Sequence, residues 1–242
     1  MKKVFSFIVL ALFTATLLPA QDVTVINDKN AEARKVGSFH AIRVSNAFDV
    51  IIKQGNEEAV VVSATEEKYR SRIKTEVTDG VLRITYENEG MLKWNSENKK
   101  LRAYISVKDI DKLDISGATD VKIDGVLKGR NLKINLSGAS SLKGTVAYES
   151  INIDQSGASD SKLAGTVKNL DIDVSGASDF NCFELVAENC RAEASGASDI
   201  FVTVNNDLKV NASGASDVQY KGTASVSDFK TSGASSLKKR TK

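Results

Sequence analysis

The residues whose side chains are best suited to catalysis or metal binding are aspartates that recur at a fixed place in a repeated segment. Each stands four residues after a serine that returns about every 20 residues. The column consists of Asp120, Asp160, Asp179, Asp199 and Asp217, with Ser141 and Ser236 at the two remaining positions. Clustered carboxylates cleave glycosidic bonds as acid and base, or hold calcium through their oxygens. The column is therefore the first candidate for catalysis or metal binding.

The same column raises an electrostatic problem. Four consecutive aspartates, stacked about 4.8 Å apart, would repel by roughly 1 kcal/mol per neighbour in water. Bound cations, flanking lysines such as Lys122 and Lys162, or hydrogen bonds from backbone amides at a chain corner could each offset this repulsion. We favour the corner amides, because each aspartate directly follows the corner motif. An active site needs unlike groups at one place, so we predict no catalytic, cofactor-binding or metal-binding residues.

One histidine and two cysteines complete the candidates. His40 has no nucleophile or second acid–base group beside it in the sequence, which predicts a place on a strand surface. Cys182 and Cys190 either form a disulfide, which would persist in an exported protein, or fill two buried apolar positions. Two cysteines and a single histidine do not make a zinc site or a Cys-x-x-Cys redox motif.

The motif Ser-Gly-Ala-Ser-Asp marks the boundaries of the strands that position these residues. It begins at Ser116, with Thr in place of the second Ser, and returns at Ser137, Ser156, Ser175, Ser195, Ser213 and Ser232. Apolar residues stand three before and five after nearly every motif serine. We predict two short strands per repeat that meet at a corner. Glycine would supply a positive φ or a close backbone approach, and alanine would face a corner interior without room.

A period near 20 residues over seven copies predicts an all-β fold, a parallel β-helix or β-solenoid with rungs of 19–20 residues. The copies are too short for a strand–helix–strand unit, which needs about 30 residues. They also lack the leucine-rich pattern with its asparagine ladder and the calcium-binding nonapeptide. Residues 110–237 would form the seven rungs, each stabilised by its neighbours.

Residues 39–109 are predicted to be a strand-rich part with one short helix. The alternating segments are 39–44, 48–54, 59–64, 81–86 and 101–107. Gly55-Asn56 and Asp79-Gly80 predict turns between paired strands. The helix candidate is Glu66–Ile73 behind Thr65 as N-cap, and the polar residues 87–100, which include Trp94, predict a projecting loop.

One segment links the two halves. Ser45–Val50 repeats the corner motif with Asn46 in the place of glycine, and asparagine tolerates positive φ better than most residues. We therefore predict a divergent first rung, which makes the N-terminal part a cap of the same solenoid. Together, residues 21–242 would form a single domain.

Residues 1–20 are predicted to be a cleaved signal peptide. Lys2 and Lys3 precede the apolar run Val4–Leu18, and cleavage would follow Ala20. That run is shorter than the ~20 residues that span a membrane. No cysteine follows it closely, so a lipid anchor is not expected, and neither is membrane insertion of the mature chain.

The charge balance argues against polyanionic partners. The chain has 33 basic and 31 acidic residues, and removal of Lys2 and Lys3 leaves 31 of each. A net charge of zero predicts no binding to nucleic acid or to an anionic membrane. The basic segment Leu237–Lys242 is expected to be a frayed tail. We predict a monomer whose last rung, Thr231–Leu237, gives a possible end-to-end association.

Several motifs together resemble a known family. They are Phe-x-x-Ile-x-Val-Ser-Asn-Ala-Phe-Asp-Val-x-Ile-x-Gln-Gly from Phe39, Asp79-Gly80-Val-Leu-x-Ile, and the Ser-Gly-Ala-Ser-Asp rungs. Over residues 39–237 the chain resembles the auto-transporter adhesin head GIN domain family of secreted and envelope proteins in Bacteroidetes. The resemblance implies a right-handed β-helix of the pectate-lyase-like superfamily, and it supplies no catalytic residues.

These observations predict a non-catalytic, exported protein of the periplasm, outer-membrane surface or extracellular space. It would act as an adhesin-like head that needs no cofactor and binds a protein or glycan. The alternative is a carbohydrate-active β-helix enzyme, a polysaccharide lyase or hydrolase. Aromatic residues along a groove would favour sugars, but three of the six in the repeats fall at core positions: Tyr148, Phe180, Phe183, Phe201, Tyr220 and Phe229. A cleft with unlike polar groups is the feature that would favour an enzyme.

Overall fold

The computed structural model describes residues 28–87 and 98–241, and its regular structure is almost entirely β-strand. The elements in chain order are β1 Glu32–Arg34, β2 Ala41–Val44, β3 Phe48–Gln54, β4 Ala59–Ser63, α1 Glu67–Arg70, β5 Ile73–Thr78, β6 Val81–Tyr86, β7 Leu101–Val107, β8 Lys112–Ile115, β9 Asp120–Leu136, β10 Ser141–Gln155, β11 Asp160–Val174, β12 Asp179–Ala194, β13 Asp199–Ala212, β14 Asp217–Lys221, β15 Ser225–Thr231 and β16 Ser236–Lys239. The predicted signal peptide and most of the predicted loop at 87–100, with Trp94, lie outside the described residues.

The repeats wind into a parallel β-solenoid of about seven turns with rungs of about 19 residues, which confirms the predicted fold. Strands β9 to β13 each form one rung and pair in parallel with the rungs on either side. Each of these rungs is a single strand of 14–17 residues, where two short strands were predicted. Pairing between these rungs is interrupted by register irregularities, which follow Lys143, Ser161, Cys182 and Ala187.

The core follows from residue alternation along each rung. The residue three before each motif serine points inward, and Leu113, Ile134, Ile153 and Ile172 form a fully buried column. Full burial of each such side chain contributes about 1.5–3 kcal/mol relative to exposure. Single rungs cannot bury these faces, so the stack supplies the stability.

The divergent first rung is present at the N-terminal end. Strands β2 and β3 stack on β8 and β9 in register, with Ile42 beside Leu113 and Val50 beside Val121. On their other side they pair in parallel with β6 and β7. Strands β5 and β4 pair antiparallel with β6 and β7, and β1 pairs with β4. The N-terminal part therefore caps the solenoid.

Two local predictions in this cap are wrong. Gly55-Asn56 does not join a hairpin, because β7 lies between β3 and β4 in the sheet. The helix covers Glu67–Arg70 alone, and Thr65 does not cap it, since its hydroxyl donates to the carbonyl oxygens of residues 98 and 99. The Asp79-Gly80 turn is confirmed, with φ of 52° and 72° between the antiparallel strands β5 and β6.

Both cysteines and the C-terminal segment are ordered parts of the stack. Cys182 and Cys190 are free and buried, so they fill apolar positions, and burial raises the pKa of the Cys182 thiol to about 12. The prediction of a frayed tail is wrong, because residues 237–239 belong to β16, which pairs with β14. Beyond it, the Arg240 N–H donates to the Tyr220 carbonyl at 2.8 Å. No helix in the described part of the chain has the length and hydropathy to cross a bilayer.

Candidate functional site

The repeated corner requires its glycine for two reasons. All seven motif glycines have φ between +73° and +84°, and Asn46 takes the equivalent place in the first rung with φ of 86°. A Cβ on Gly176 would lie 2.6 Å from the carbonyl oxygen of Gly157 on the preceding rung. The corner therefore needs both positive φ and a close backbone approach, as predicted.

The buried residue of the corner is the fourth of the motif. The alanines at the third position are exposed, so the prediction that alanine faces the corner interior is wrong. The fourth position is buried, and it contains Thr119, Ser140, Ser159, Ser178, Ser198 and Ser216. The Ser198 hydroxyl donates to the Ser195 carbonyl at 2.9 Å and to the Val174 carbonyl at 3.2 Å. A hydroxyl is needed here because the corner carbonyls are cut off from solvent.

The predicted aspartates do stack in register on an outer face. This aspartate ladder also includes an aspartate of the first rung, and its positions are Asp49, Asp120, Ser141, Asp160, Asp179, Asp199, Asp217 and Ser236. Two residues further on, Lys122, Lys143 and Lys162 form a parallel row over three rungs. Burial, together with the charges of Asp199 and Asp160, raises the pKa of Asp179.

The corner amides do not offset the repulsion in this ladder, so that prediction is wrong. The Ala177 N–H donates to the Gly157 carbonyl at 2.8 Å, and the Asp179 N–H donates to the Ser159 carbonyl at 3.0 Å. The amides are thus used in hydrogen bonds between rungs. Among the described residues, the ladder carboxylates accept side-chain hydrogen bonds from Ser141, on Asp120, and from Ser236, on Asp217.

The ladder presents at most one carboxylate per rung and does not converge on a point. No group of three or more His, Cys, Asp or Glu side chains suited to a metal ion occurs within residues 28–87 and 98–241. His40 lies at the surface just before β2, with its side chain 59% exposed and Nδ1 3.0 Å from both carboxylate oxygens of Asp111. The hydrogen-bond partner of the His40 ring is thus Asp111, which is not an aspartate of the ladder.

A groove of about 380 Å³ crosses rungs β10 to β13 at a different place. Its polar lining comprises Ser150, Asn152, Asn169, Asp171, Asn189, Arg191, Asp207 and Lys209. The amides form a ladder of their own: Asn189 Nδ2 donates to Asn169 Oδ1 at 3.0 Å, and Asn206 Nδ2 donates to Asn189 Oδ1 at 2.7 Å. This amide ladder was not predicted; the asparagine ladder that the sequence excluded is the one of leucine-rich repeats.

Asn152 is the most informative residue of the groove. Its Oδ1 is shielded from solvent and has no hydrogen-bond partner among the residues that the structure describes. A buried acceptor without a donor costs free energy, about 1–3 kcal/mol, which a bound donor would recover. A ligand hydroxyl or amide in the groove is the kind of group that supplies such a donor.

The groove also has balanced charge. Asp171 and Asp207 supply two negative charges, and Arg191 and Lys209 supply two positive charges. Arg191 is further engaged by an ion pair with Glu193. Beside the groove, burial and the neighbouring carboxylates Glu193, Asp154 and Asp171 raise the pKa of Asp173. The unlike polar groups that would favour an enzyme are therefore present, although they are arranged along a shallow, open groove.

The aromatic side chains of the repeats do not line this groove. Phe183 and Phe201 form an edge-to-face pair with ring centroids 5.4 Å apart, and Lys221 Nζ lies 4.5 Å from the Phe183 ring centroid. Phe180 is fully buried in the core. The arrangement thus favours hydrogen bonding over ring stacking as the means of holding a ligand in the groove.

A family model matches most of the chain. Residues 38–224 match the family model described as "Putative auto-transporter adhesin, head GIN domain". No curated protein has significant sequence similarity to the chain.

Solved structures share the fold at low sequence identity. A "putative adhesin" from Bacteroides fragilis NCTC 9343 has a TM-score of 0.76 and 22% identity, over 88% of this chain and 98% of that one. A "putative adhesin" from Parabacteroides distasonis ATCC 8503 has a TM-score of 0.70 and 18% identity, over 87% and 96%. A "Putative lipid binding protein" from the same strain has a TM-score of 0.65 and 19% identity, over 88% and 98%. At these identities the likeness establishes the fold alone.

Proposed function

The chain belongs to the auto-transporter adhesin head GIN domain family, and from this premise we propose that it is a non-catalytic, adhesin-like binding head of the cell exterior. Its ligand is a glycan that is held in the groove across β10 to β13. Export rests on the family and on the apolar segment at residues 4–18.

The observation that carries this proposal is the shielded, unpartnered Oδ1 of Asn152 in a groove built from a ladder of amides. Glycans offer many hydroxyl donors, and amide side chains both accept from and donate to hydroxyls. The two acids and two bases of the lining cancel, which favours a neutral sugar over a uronate or a sulfated chain. Amides repeated on successive rungs suit a ligand with repeating units.

The binding test compares Asn152→Ala with Asn135→Ala, a control on the same outer face that does not line the groove. Calorimetry with a panel of soluble neutral and uronate polysaccharides should detect at least one neutral polymer that binds the wild type. Asn152→Ala should weaken that binding about tenfold, equivalent to about 1.4 kcal/mol, while Asn135→Ala leaves it unchanged.

The melting temperatures of the same two variants separate an effect on binding from an effect on folding. Asn152→Ala should not lower the melting temperature, because it removes an acceptor that has no partner in the free protein. A loss of stability equal to that of an ordinary buried polar truncation would assign Asn152 a structural role. Binding of acidic polymers alone would overturn the neutral glycan.

The enzyme alternative is tested on the same panel. Asp171, Arg191 and Lys209 are unlike groups within one groove, the kind of set that a lyase or hydrolase requires. We expect no new reducing ends and no unsaturated products after prolonged incubation. Product formation that Asp171→Asn abolishes would establish the enzyme and refute the non-catalytic proposal.

Export has its own measurement. N-terminal sequencing of the protein recovered from the cell envelope or the medium should begin at Gln21. Recovery of a chain that still begins at Met1 from the cytoplasm would contradict it.

A further inference from the structure

The last rung of the described chain leaves one side of two strands open. Within residues 28–87 and 98–241, β15 pairs with β13 alone and β16 pairs with β14 alone. Phe229 is in register with the buried Val210, yet it is 47% exposed, and Val226 is 37% exposed. An apolar sheet edge of this kind is a template for pairing with another strand.

The charges on β15 indicate which strand would pair with its open edge. Asp228 and Lys230 are in register with the outward residues Lys209 and Asn211, and they form an ion pair at 3.5 Å within the strand. Phe229 lies between them and points to the core side. Opposite charges thus flank one inward aromatic residue symmetrically, which is the arrangement that a two-fold axis requires of a self-complementary surface.

We propose that β15 pairs antiparallel with β15 of a second copy of this chain, centred on Phe229. In this register Asp228 faces Lys230 of the second copy, and Lys230 faces its Asp228, so two opposite-charge pairs form. The two Phe229 side chains become direct cross-strand neighbours on the core side and cover each other. The apolar end of each solenoid then continues into the other.

The neighbouring registers are unfavourable. A shift of the partner strand by one residue would place the outward charges against the inward phenylalanine, because side chains alternate between the two faces. A shift by two residues would centre the pair on Asp228 or on Lys230, and would oppose two aspartates or two lysines. The register centred on Phe229 is therefore favoured over these shifted registers, and it gives the end-to-end association expected from the sequence a defined geometry. Lys238 and Lys239 on β16 lie on the same end and keep the dimer weak.

The test uses two single-charge variants of the full chain. Asp228→Lys gives a strand with two outward lysines, and Lys230→Asp gives a strand with two outward aspartates. By sedimentation equilibrium, the wild type should dimerise at high protein concentration. Each variant alone should dimerise at least about tenfold more weakly, which corresponds to about 1.4 kcal/mol.

A mixture of the two variants is the decisive measurement. Every lysine of one strand then faces an aspartate of the other, so a heterodimer should form with wild-type strength or better. Heterodimer formation also verifies that both variants are folded. A monomeric wild type at all soluble concentrations, undiminished dimers of either variant, or a mixture that does not associate would each overturn the proposal.

Discussion

The corner geometry makes a quantitative prediction about Gly176→Ala and its control Gly125→Ala. Both glycines have φ of +81°, so both substitutions force alanine into the left-handed region, at roughly 1–2 kcal/mol each. They differ in their surroundings. A Cβ on Gly125 would meet nothing within 4 Å, whereas a Cβ on Gly176 would lie 2.6 Å from the Gly157 carbonyl oxygen.

The difference between the two variants therefore isolates the close approach of successive rungs. The Gly157 oxygen accepts the Ala177 N–H at 2.8 Å, so it cannot retreat without loss of a hydrogen bond between rungs. Overpacking of a rigid contact costs about 1–3 kcal/mol. For a domain of this size, that adds about 2–12 °C to the fall in melting temperature of Gly125→Ala.

Circular dichroism melts and urea titrations of the wild type and both variants measure this difference. Gly176→Val, with a branched side chain at the same place, should cost more than Gly176→Ala. Equal destabilisation by Gly125→Ala and Gly176→Ala would mean that the rungs separate freely at the corner, and the stacking argument would fail.

Three further results are expected. Ser198→Ala should destabilise the protein by about 1–2 kcal/mol in urea titrations, because the Ser198 hydroxyl bonds to carbonyls at 2.9 and 3.2 Å. Ser178→Ala should cost less, because the contacts of the Ser178 hydroxyl are longer: it donates to the Gly157 carbonyl at 3.3 Å, accepts the Ser159 N–H at 3.3 Å and lies 3.4 Å from Ser159 Oγ. Asp179→Asn should raise the melting temperature at pH 7 and not at pH 3. The folded pKa of Asp179 is raised, so its ionised form opposes folding above that pKa and the penalty is absent below the unfolded value of about 3.9. Millimolar calcium should leave the melting temperature unchanged, because the ladder carboxylates do not converge; a clear rise would reveal cation binding by mass action.

The corners were predictable because each depends on a few adjacent residues. Ser-Gly-Ala-Ser-Asp fixes a local backbone shape, and stacking repeats that shape at every rung, so even Asn46 was recognisable as a divergent glycine. The strands at 48–54, 81–86 and 101–107 follow from alternation in the same way. Which strands pair with each other could not be predicted from alternation. The insertion of β7 between β3 and β4 depends on long-range contacts that no local turn signal encodes.

The column of amides that continues into the groove was readable from the sequence. Asn131, Asn169 and Asn189 each stand six residues before the next motif serine, so alignment of the repeats on that serine places them in one column. The sheet keeps this column in register, with Ser150 between Asn131 and Asn169. The role of the corner amides was not readable, because whether they serve the aspartates or the next rung depends on the distance between rungs, which the sequence does not state.

The placement of β2 and β3 between two later segments has a consequence for biosynthesis. Both neighbours of this first rung, β6–β7 and β8–β9, are translated after it, so its first sheet partner, β6, is complete only at residue 86, and pairing on both sides is complete only at residue 124. We therefore expect residues 41–124 to assemble together through long-range contacts, and we expect this assembly to be slower than the addition of later rungs. From β10 onward each new rung finds a finished template, and the solenoid elongates in the direction of translation.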